Sequence, residues 1–574
     1  MLKKPREGMM GKVVLDNRFW LMFLAPVVAG FFSIDTNMGG VFYNTGYLPK
    51  MAFYGFVLFY LFYGCLRLLK APTLVHVLKN TMLCLSLLCA FVHFFVGHYF
   101  NLPFNQTLID TLLATNLQES LAFVKGVIKP HIGLILGLLV FCGVFLALPL
   151  NVTLNSRQYK ICLSLCALVF TVHSIRALYL YPKDLFISSR LALTPILREA
   201  QTLVASLREH RHIQALIQGF NKPLAKDYLS VDKDSVPNVV LVVGESASRN
   251  FMGVYGYSVP NTPFLSGLLR EREREKAISL APQRSLTQPN LFVFDDVISP
   301  FSGTMPVFQV LLNYSDRENA KTPWYKQKNI GDIFKVAGYV TFWLDNQEKP
   351  NQSNVYSLMS RHFSQHYYTD SPYKTDDSNL LPLFDRYIKP NLGAKNLILF
   401  HLIGSHVIYK DRSPKSYATF TPKDINYQGL HAHNDQDKQI VADYVNSLYY
   451  TDHVLSEIFK LFQGKDAIIF YLSDHAQDIF QSASTYGHKC SSYGVEIPFM
   501  VYVTSTFKQK HPEKVKLIEQ AVHKPFMSDD LIHTLLPIVG IHTKDNLESK
   551  DLFSPKFDTK RKRVFCGDKP YSKP

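Results

Sequence analysis

Tryptophan and cysteine are scarce in this chain of 574 residues, which carries 3 Trp and 8 Cys. Six of the cysteines, Cys65, Cys84, Cys89, Cys142, Cys162 and Cys166, lie in the apolar first third. That distribution excludes a disulfide-framework fold and gives no zinc-finger pattern. Only Cys490 and Cys566 lie beyond it, available for a disulfide if that part of the chain faces outside the cytoplasm. Charge is also sparse, with 19% Asp, Glu, Lys and Arg, and the chain has no low-complexity tract or internal repeat. Lys and Arg number 61 against 46 Asp and Glu, a net charge of +15. The basic residues of 270–276 alternate with Glu, which reads as a solvated helix with paired charges. Nucleic acid is therefore not an expected partner. The basic run 560–563 reads as a solvated tail. Apolar residues, by contrast, are abundant: 47% of the chain, with 42 Phe and 31 Tyr. A disordered or fibrous chain is excluded.

The apolar residues are concentrated at the start. Segments 19–34, 51–69, 78–99, 131–150 and 161–180 approach or reach the roughly 20 residues that cross hydrocarbon as a helix. No small-x-small cleavage site follows the first, so it does not read as a removable signal. Basic residues (Lys3, Lys4, Arg6 and Lys12; Arg67, Lys70 and Lys79; Arg157 and Lys160) flank alternate ends. The intervening loops carry Asp35, Asp110 and Glu119. Five crossings with basic loops inside put the long C-terminal part outside. The absence of a repeat and of intramembrane acidic residues argues against a transporter. The expected organisation is a transmembrane domain over 1–181, amphipathic bridging helices over 182–235 and a soluble domain over 236–574. The bridging stretch interleaves Arg and His with apolar residues at helical spacing, as in a helix lying on a membrane surface.

From residue 237 the pattern becomes short apolar runs alternating with helical stretches, an α/β signature. Runs 238–243, 396–402 and 467–472 read as buried parallel strands. Each ends in a polar cluster, with Glu245 after the first, His406 after the second, and Asp474 and His475 after the third. Open α/β sheets gather their ligands at the carboxyl ends of strands. Carboxylate oxygen with imidazole nitrogen suits Zn²⁺ or, less well, Mn²⁺. Between these strands lies a loop with Ser302, Gly303 and Thr304 leading into an apolar run. A hydroxyl there would sit at a helix N-terminus, where an anion is stabilised. Thr304 reads either as a helix cap or as a metal-activated nucleophile, with Ser302 its rival.

Taken in order, several pieces resemble the alkaline phosphatase/sulfatase superfamily: 243–249 (VGESASR), 255–257, 261–263, 302–304 and 343–347. The series continues with 401–406, 449–452, 473–475, 487–488 and 496–498. Five spans followed by such a domain are similar to bacterial phosphoethanolamine transferases that modify lipopolysaccharide. The resemblance implies a five-helix transmembrane bundle plus an α/β sandwich, in the inner membrane with the catalytic domain in the periplasm. It implies Thr304 as nucleophile and Glu245, Thr304, Asp474 and His475 as ligands of Zn²⁺, with a second metal possible in principle. His406 and His488 would then bind phosphate, with His488 able to move a proton, and Asn116 and Glu119 would contact lipid. Phosphatidylethanolamine would be the donor, a lipopolysaccharide group (lipid A, Kdo or core sugar) the acceptor, and the enzyme a monomer. Related transferases using glycerophosphate or acting on a glucan, and a non-catalytic binding protein, are the alternatives. The chain departs from the family in Ala476 and Gln477, where many members have Gly-Glu; Asp478 or Glu245 would have to cover that loss.

Overall fold

A computed structural model describes residues 12–33, 40–100, 132–180, 203–208 and most of 227–573, with breaks at 279–289, 317, 320–321, 348–354, 370–375 and 568. A few isolated positions between 109 and 129, and at 200 and 224–225, are also described. Asn116 and Glu119 lie outside the described residues, as does most of the expected bridging stretch. The chain separates into two compact units, residues 1–209 and 210–574.

The first unit contains five apolar helices among its described residues: α1 (Asn17–Ser33), α2 (Gly40–Leu66), α3 (Pro72–Phe100), α4 (Ile132–Ala147) and α5 (Ser156–Leu180). Three stretches are long and apolar enough to cross a membrane: Leu48–Leu66, Pro72–Phe100 and Ser156–Arg176. The other two, Asn17–Phe31 and Ile135–Ala147, are shorter. At 1.5 Å per residue, α4 extends only about 24 Å against roughly 30 Å of hydrocarbon. Each of the five expected segments is thus an apolar helix; three are long enough to be candidate spans, and the first and fourth are shorter. Aromatic side chains fill the unit's core, with Phe19, Phe59, Tyr60 and Tyr63 nearly inaccessible. Asp16, just before α1, accepts hydrogen bonds from Phe19 N and Tyr63 Oη and pairs with Lys79 at 2.8 Å.

The second unit is built on a seven-stranded sheet. Its strands are β1 (Asn238–Gly244), β2 (Asn290–Phe294), β3 (Val340–Asp345), β4 (Gln365–Tyr368), β5 (Asn396–His401), β6 (Ala467–Ser473) and β7 (Phe499–Val503). They lie side by side in the order β2-β7-β6-β1-β5-β3-β4. Only β7 runs against the others. The three strands expected from sequence are the neighbouring central ones, β6, β1 and β5. Their residues read as unbroken Val, Ile, Leu and Phe because such strands are covered on both faces. Register places Gly244 beside Ser473, and Val243 beside His401. Glu245, Asp474 and Leu402 therefore leave the sheet at adjacent points of one edge.

Two long helices pack together on the sheet, α6 (Pro263–Ile278) and α8 (Asp435–Lys460), with the short α7 (Thr304–Leu311) between them in sequence. Asn434 caps α8 by accepting from Asp437 N, and acidic residues in the first turn and Lys460 in the last match the helix dipole. Asp452, in the middle of α8, accepts from Phe264 N and Leu265 N at 2.8 and 3.0 Å. It thus holds the α6 N-terminus, where amide hydrogens have no partner in the helix itself. The C-terminal segment is not the solvated tail expected. Arg561 pairs with Glu318, Asp529 and Asp530, and Arg563 makes a two-pronged contact with Asp296 at 2.8 and 2.9 Å. Cys490 and Cys566 form a disulfide that ties the same segment to the loop after Tyr486–Gly487.

Asp452 is almost fully buried, and burial pushes its carboxyl from 3.8 up to about 6, against the pull of the two amides. The folded state then binds this proton more tightly than the unfolded chain. Stability contributed at this position falls as pH rises from about 4 to about 6. Asp452→Ala should lower the stability of the C-terminal unit by about 2 kcal/mol through two orphaned helix amides. Asp452→Asn should flatten the pH 4–6 slope in thermal melts; a wild-type slope in that variant would contradict the assignment.

Candidate active site

The turn after β1 carries the first site residue. Ser246 adopts a left-handed conformation (φ 62°), which a non-glycine residue takes only under constraint. The constraint is visible: Tyr444 Oη accepts from Ser248 N and donates to Ser246 O, both at 2.8 Å. Ala247 N donates to Ser473 Oγ at 2.8 Å, linking this turn to the one after β6. On the other side, Gly404 (φ 47°) lies against Glu245, where a Cβ would come within 2.6 Å of the Glu245 carbonyl oxygen. A side chain there would push the two strand exits apart.

Thr304 comes from another direction. Gly303 is the N-cap of α7 and no side chain caps the helix, so Thr304 is its first helical residue and its hydroxyl serves the site. The Thr304 hydroxyl donates to Glu245 Oε2 at 3.0 Å and lies 3.1 Å from His475 Nε2. His475 Nε2 stands 3.2 Å from Glu245 Oε1 and 3.5 Å from Asp474 Oδ2. His475 Nδ1 donates to the Ala476 carbonyl at 2.9 Å, which turns Nε2 toward the cluster. Glu245, Asp474 and His475 are wholly inaccessible to solvent. Four of the expected residues, remote in sequence, thus meet at one point.

His488 and His406 border this cluster. The His488 ring is 4.5 Å from that of His475 and 5.8 Å from that of His406. One ligand atom each from Glu245, His475 and His488 lie within 4.8 Å of one another. Ser302 Oγ, the rival hydroxyl, lies 3.4 Å from the sulfurs of Cys490 and Cys566, whereas the Thr304 hydroxyl is the one that meets Glu245 and His475. Asp478 is held elsewhere by its own hydrogen bonds. Its oxygens accept from Gln481 N, Ser482 N and Ser491 Oγ.

Electrostatics follow from burying so many ionisable groups together. Burial alone would raise the Glu245 carboxyl, but His475, His406 and His488 hold it well below its usual range. Burial, then the neighbouring Glu245 charge, pushes Asp474 up to about 7. His475 is lowered by burial but raised more by Asp474 and Glu245, to about 9. Burial and the His475 and His406 charges depress His488. Asp474 Oδ2 is buried without a hydrogen-bond partner. Two carboxylates, an imidazole nitrogen and a hydroxyl, with one carboxylate oxygen left unsatisfied, form a donor set that fits a divalent cation.

The fold and this site define a class, and the chain belongs to the sulfatase family, whose model matches residues 237–541. Among its relatives are phosphoethanolamine transferases. One is phosphoethanolamine transferase EptC of Escherichia coli O18:K1:H7 (strain RS218 / NMEC), 27% identical over 398 residues. That match covers 65% of this chain and 63% of the relative, just under two thirds of its length. Over nearly the whole chain, the fold is similar to that of the integral membrane protein lipooligosaccharide phosphoethanolamine transferase A from Neisseria meningitidis. There the TM-score is 0.61 at 19% identity, covering 93% of this chain and 97% of the other. The C-terminal periplasmic domain of E. coli EptC, solved in complex with Zn, matches with a TM-score of 0.50 at 25% identity. It covers 58% of this chain and 91% of that domain.

The residues that hold Glu245 in place lie in stretches 343–347 and 401–406, which the sequence marked without giving Gln347, His401 or Asp345 a role. Gln347 Nε2 donates to Glu245 Oε2 at 3.0 Å and to Leu402 O at 2.9 Å. His401 and Asp345, paired at 2.9 Å and fully buried at the ends of β5 and β3, pack beneath. Their signal was available in the polar residues closing each apolar run; their partners were not. The donor set predicts that the full-length protein retains a divalent metal after purification. Asp474→Asn should weaken zinc binding at least about 10-fold, measured by metal content after dialysis against a chelator. Equal retention by wild type and variant would contradict it.

Proposed function

We propose that this chain transfers phosphoethanolamine from phosphatidylethanolamine to a lipopolysaccharide acceptor through a covalent intermediate on Thr304, releasing diacylglycerol. The observation that carries this reading is the Thr304 hydroxyl, 3.0 Å from Glu245 and 3.1 Å from His475, at the open end of a helix. The transferase names of its relatives support the substrate class.

Glu245, Thr304, Asp474 and His475 would hold Zn²⁺. When bound, that ion lowers the pKa of a coordinated hydroxyl and offsets charge on phosphoryl oxygens. The protein does the rest. Thr304 Oγ1 attacks phosphorus in line, and the bond to the diacylglycerol oxygen breaks. The Thr304 proton ends, net, on that oxygen. The phosphoryl group, now ester-linked to Thr304 and still carrying ethanolamine, rests against the α7 N-terminus, whose free N–H groups favour an anion. An acceptor oxygen then attacks the same phosphorus and Thr304 departs with a proton. His488, kept neutral by burial and by its histidine neighbours, can take the proton of an acceptor hydroxyl.

The membrane unit supplies proximity, since donor and acceptor are both confined to the bilayer plane. Five crossings and a periplasmic catalytic unit fit the basic residues at alternate ends of the apolar helices. Adding an ammonium to an anionic glycolipid would weaken its attraction for cationic peptides.

Mass spectrometry of enzyme quenched with phosphatidylethanolamine should find phosphoethanolamine on the peptide holding Thr304. Thr304→Ala should lower transfer by roughly three orders of magnitude or more while leaving the fold intact. An active enzyme whose Thr304 peptide is never modified would overturn the covalent route.

A further inference from the structure

Gln477 is fully buried beside the metal-ligating pair of residues, yet no step above uses it. It sits in a directional chain of hydrogen bonds. Tyr409 Oη donates to Gln477 Oε1 at 3.3 Å, Gln477 Nε2 donates to Ser246 Oγ at 2.8 Å, and Ser246 Oγ donates to Glu245 Oε1 at 2.6 Å. An amide nitrogen carries only hydrogens, so the Ser246 oxygen has to accept from it. The hydrogen of Ser246 is then committed to Glu245. On the opposite oxygen of the same carboxylate, Gln347 donates one hydrogen and spends the other on Leu402 O. Two buried amides therefore grip Glu245 from its two ends, one directly and one through a serine.

The grip has a consequence for the site. It leaves Oε1 facing His475 Nε2 at 3.2 Å and Oε2 facing Thr304 Oγ1 at 3.0 Å. Donors to both oxygens of a carboxylate fix its rotation. Ser246 is also the residue held at φ 62°, so its hydroxyl is aimed by a strained turn that Tyr444 clamps. A carboxylate at position 477 could not play this part, because it has no hydrogen to give and would compete for that of Ser246. We infer that Gln477 is a positioning residue that, through Ser246, holds the Glu245 carboxylate turned toward Thr304 and His475, and so sets how tightly the site binds a divalent cation. The inference rests on Glu245 being a ligand of that cation.

The test uses the full-length chain in detergent micelles, with Zn²⁺ affinity measured by competition against a chromophoric chelator. Gln477→Met keeps the volume and deletes the amide, and Gln477→Ala and Ser246→Ala serve as second and third variants. Each single change should raise the Kd for Zn²⁺ about 10-fold. The Gln477→Met/Ser246→Ala double variant should show the same 10-fold rise, because both changes silence one donor. Turnover with saturating phosphatidylethanolamine should fall in kcat with KM unchanged. A wild-type Kd in the Gln477 variants, or a roughly 100-fold loss in the double variant, would overturn the inference. Wild-type protein with no affinity for Zn²⁺ would instead overturn the cation reading beneath it.

Discussion

Two carboxylates with no solvent access, Glu245 and Asp474, share one small volume with the His475 imidazole. Isolated burial of such charges is prohibitively costly, so their coexistence needs opposite charge close by. His475 supplies part of it, and its own elevated pKa records the demand. Asp474, raised to about 7 and with one oxygen unsatisfied, records what His475 leaves uncompensated. A doubly charged cation at this point answers both. Everything else around the site can be read as the machinery that prevents the carboxylates from turning away.

That machinery is mostly backbone and sheet. Parallel neighbours β6, β1 and β5 end in register, so three chain exits share one edge without any long side chain having to reach. The turns that follow are cross-linked: Asp474 Oδ1 accepts from Ser246 N, Ser405 N donates to Glu245 O, and Tyr444 closes over Ser246 and Ser248. Sites built on rigid strand ends keep their geometry better than sites on free loops. The ring of His406, by contrast, lies in a loop past β5, partly exposed, where a substrate could approach.

Much of this was legible in the order of residues. Buried parallel strands announce themselves as continuous apolar runs, and the polar residue that stops each run is where chemistry collects; hence Glu245, Asp474 and His475 stood out as candidates in the sequence, and the structure brings them together. Thr304 was harder, because a threonine before an apolar run is also what a helix cap looks like, and only the position of Gly303 as the cap separates the two. Ser302 and Thr304 differ by a rotation of the chain that no spacing reveals. The Gln477–Ser246 link was hidden because 231 residues separate its partners, and a Gln in place of a charged residue reads as loss rather than as a donor. The 560–563 run misled because its acidic partners are likewise remote in sequence. In the first unit only the fourth helix was overestimated, because apolar residues continue past its end at Ala147; the other four run longer than the segments expected.

Glu245, Thr304, Asp474 and His475 are proposed to meet around one Zn²⁺, and X-ray absorption at the zinc edge of the full-length protein probes that arrangement directly. It should give nitrogen and oxygen scatterers at about 2.0 Å, with the outer-shell signature of one imidazole and no sulfur. A zinc–sulfur distance near 2.3 Å, or a spectrum of hexaaqua zinc, would contradict it.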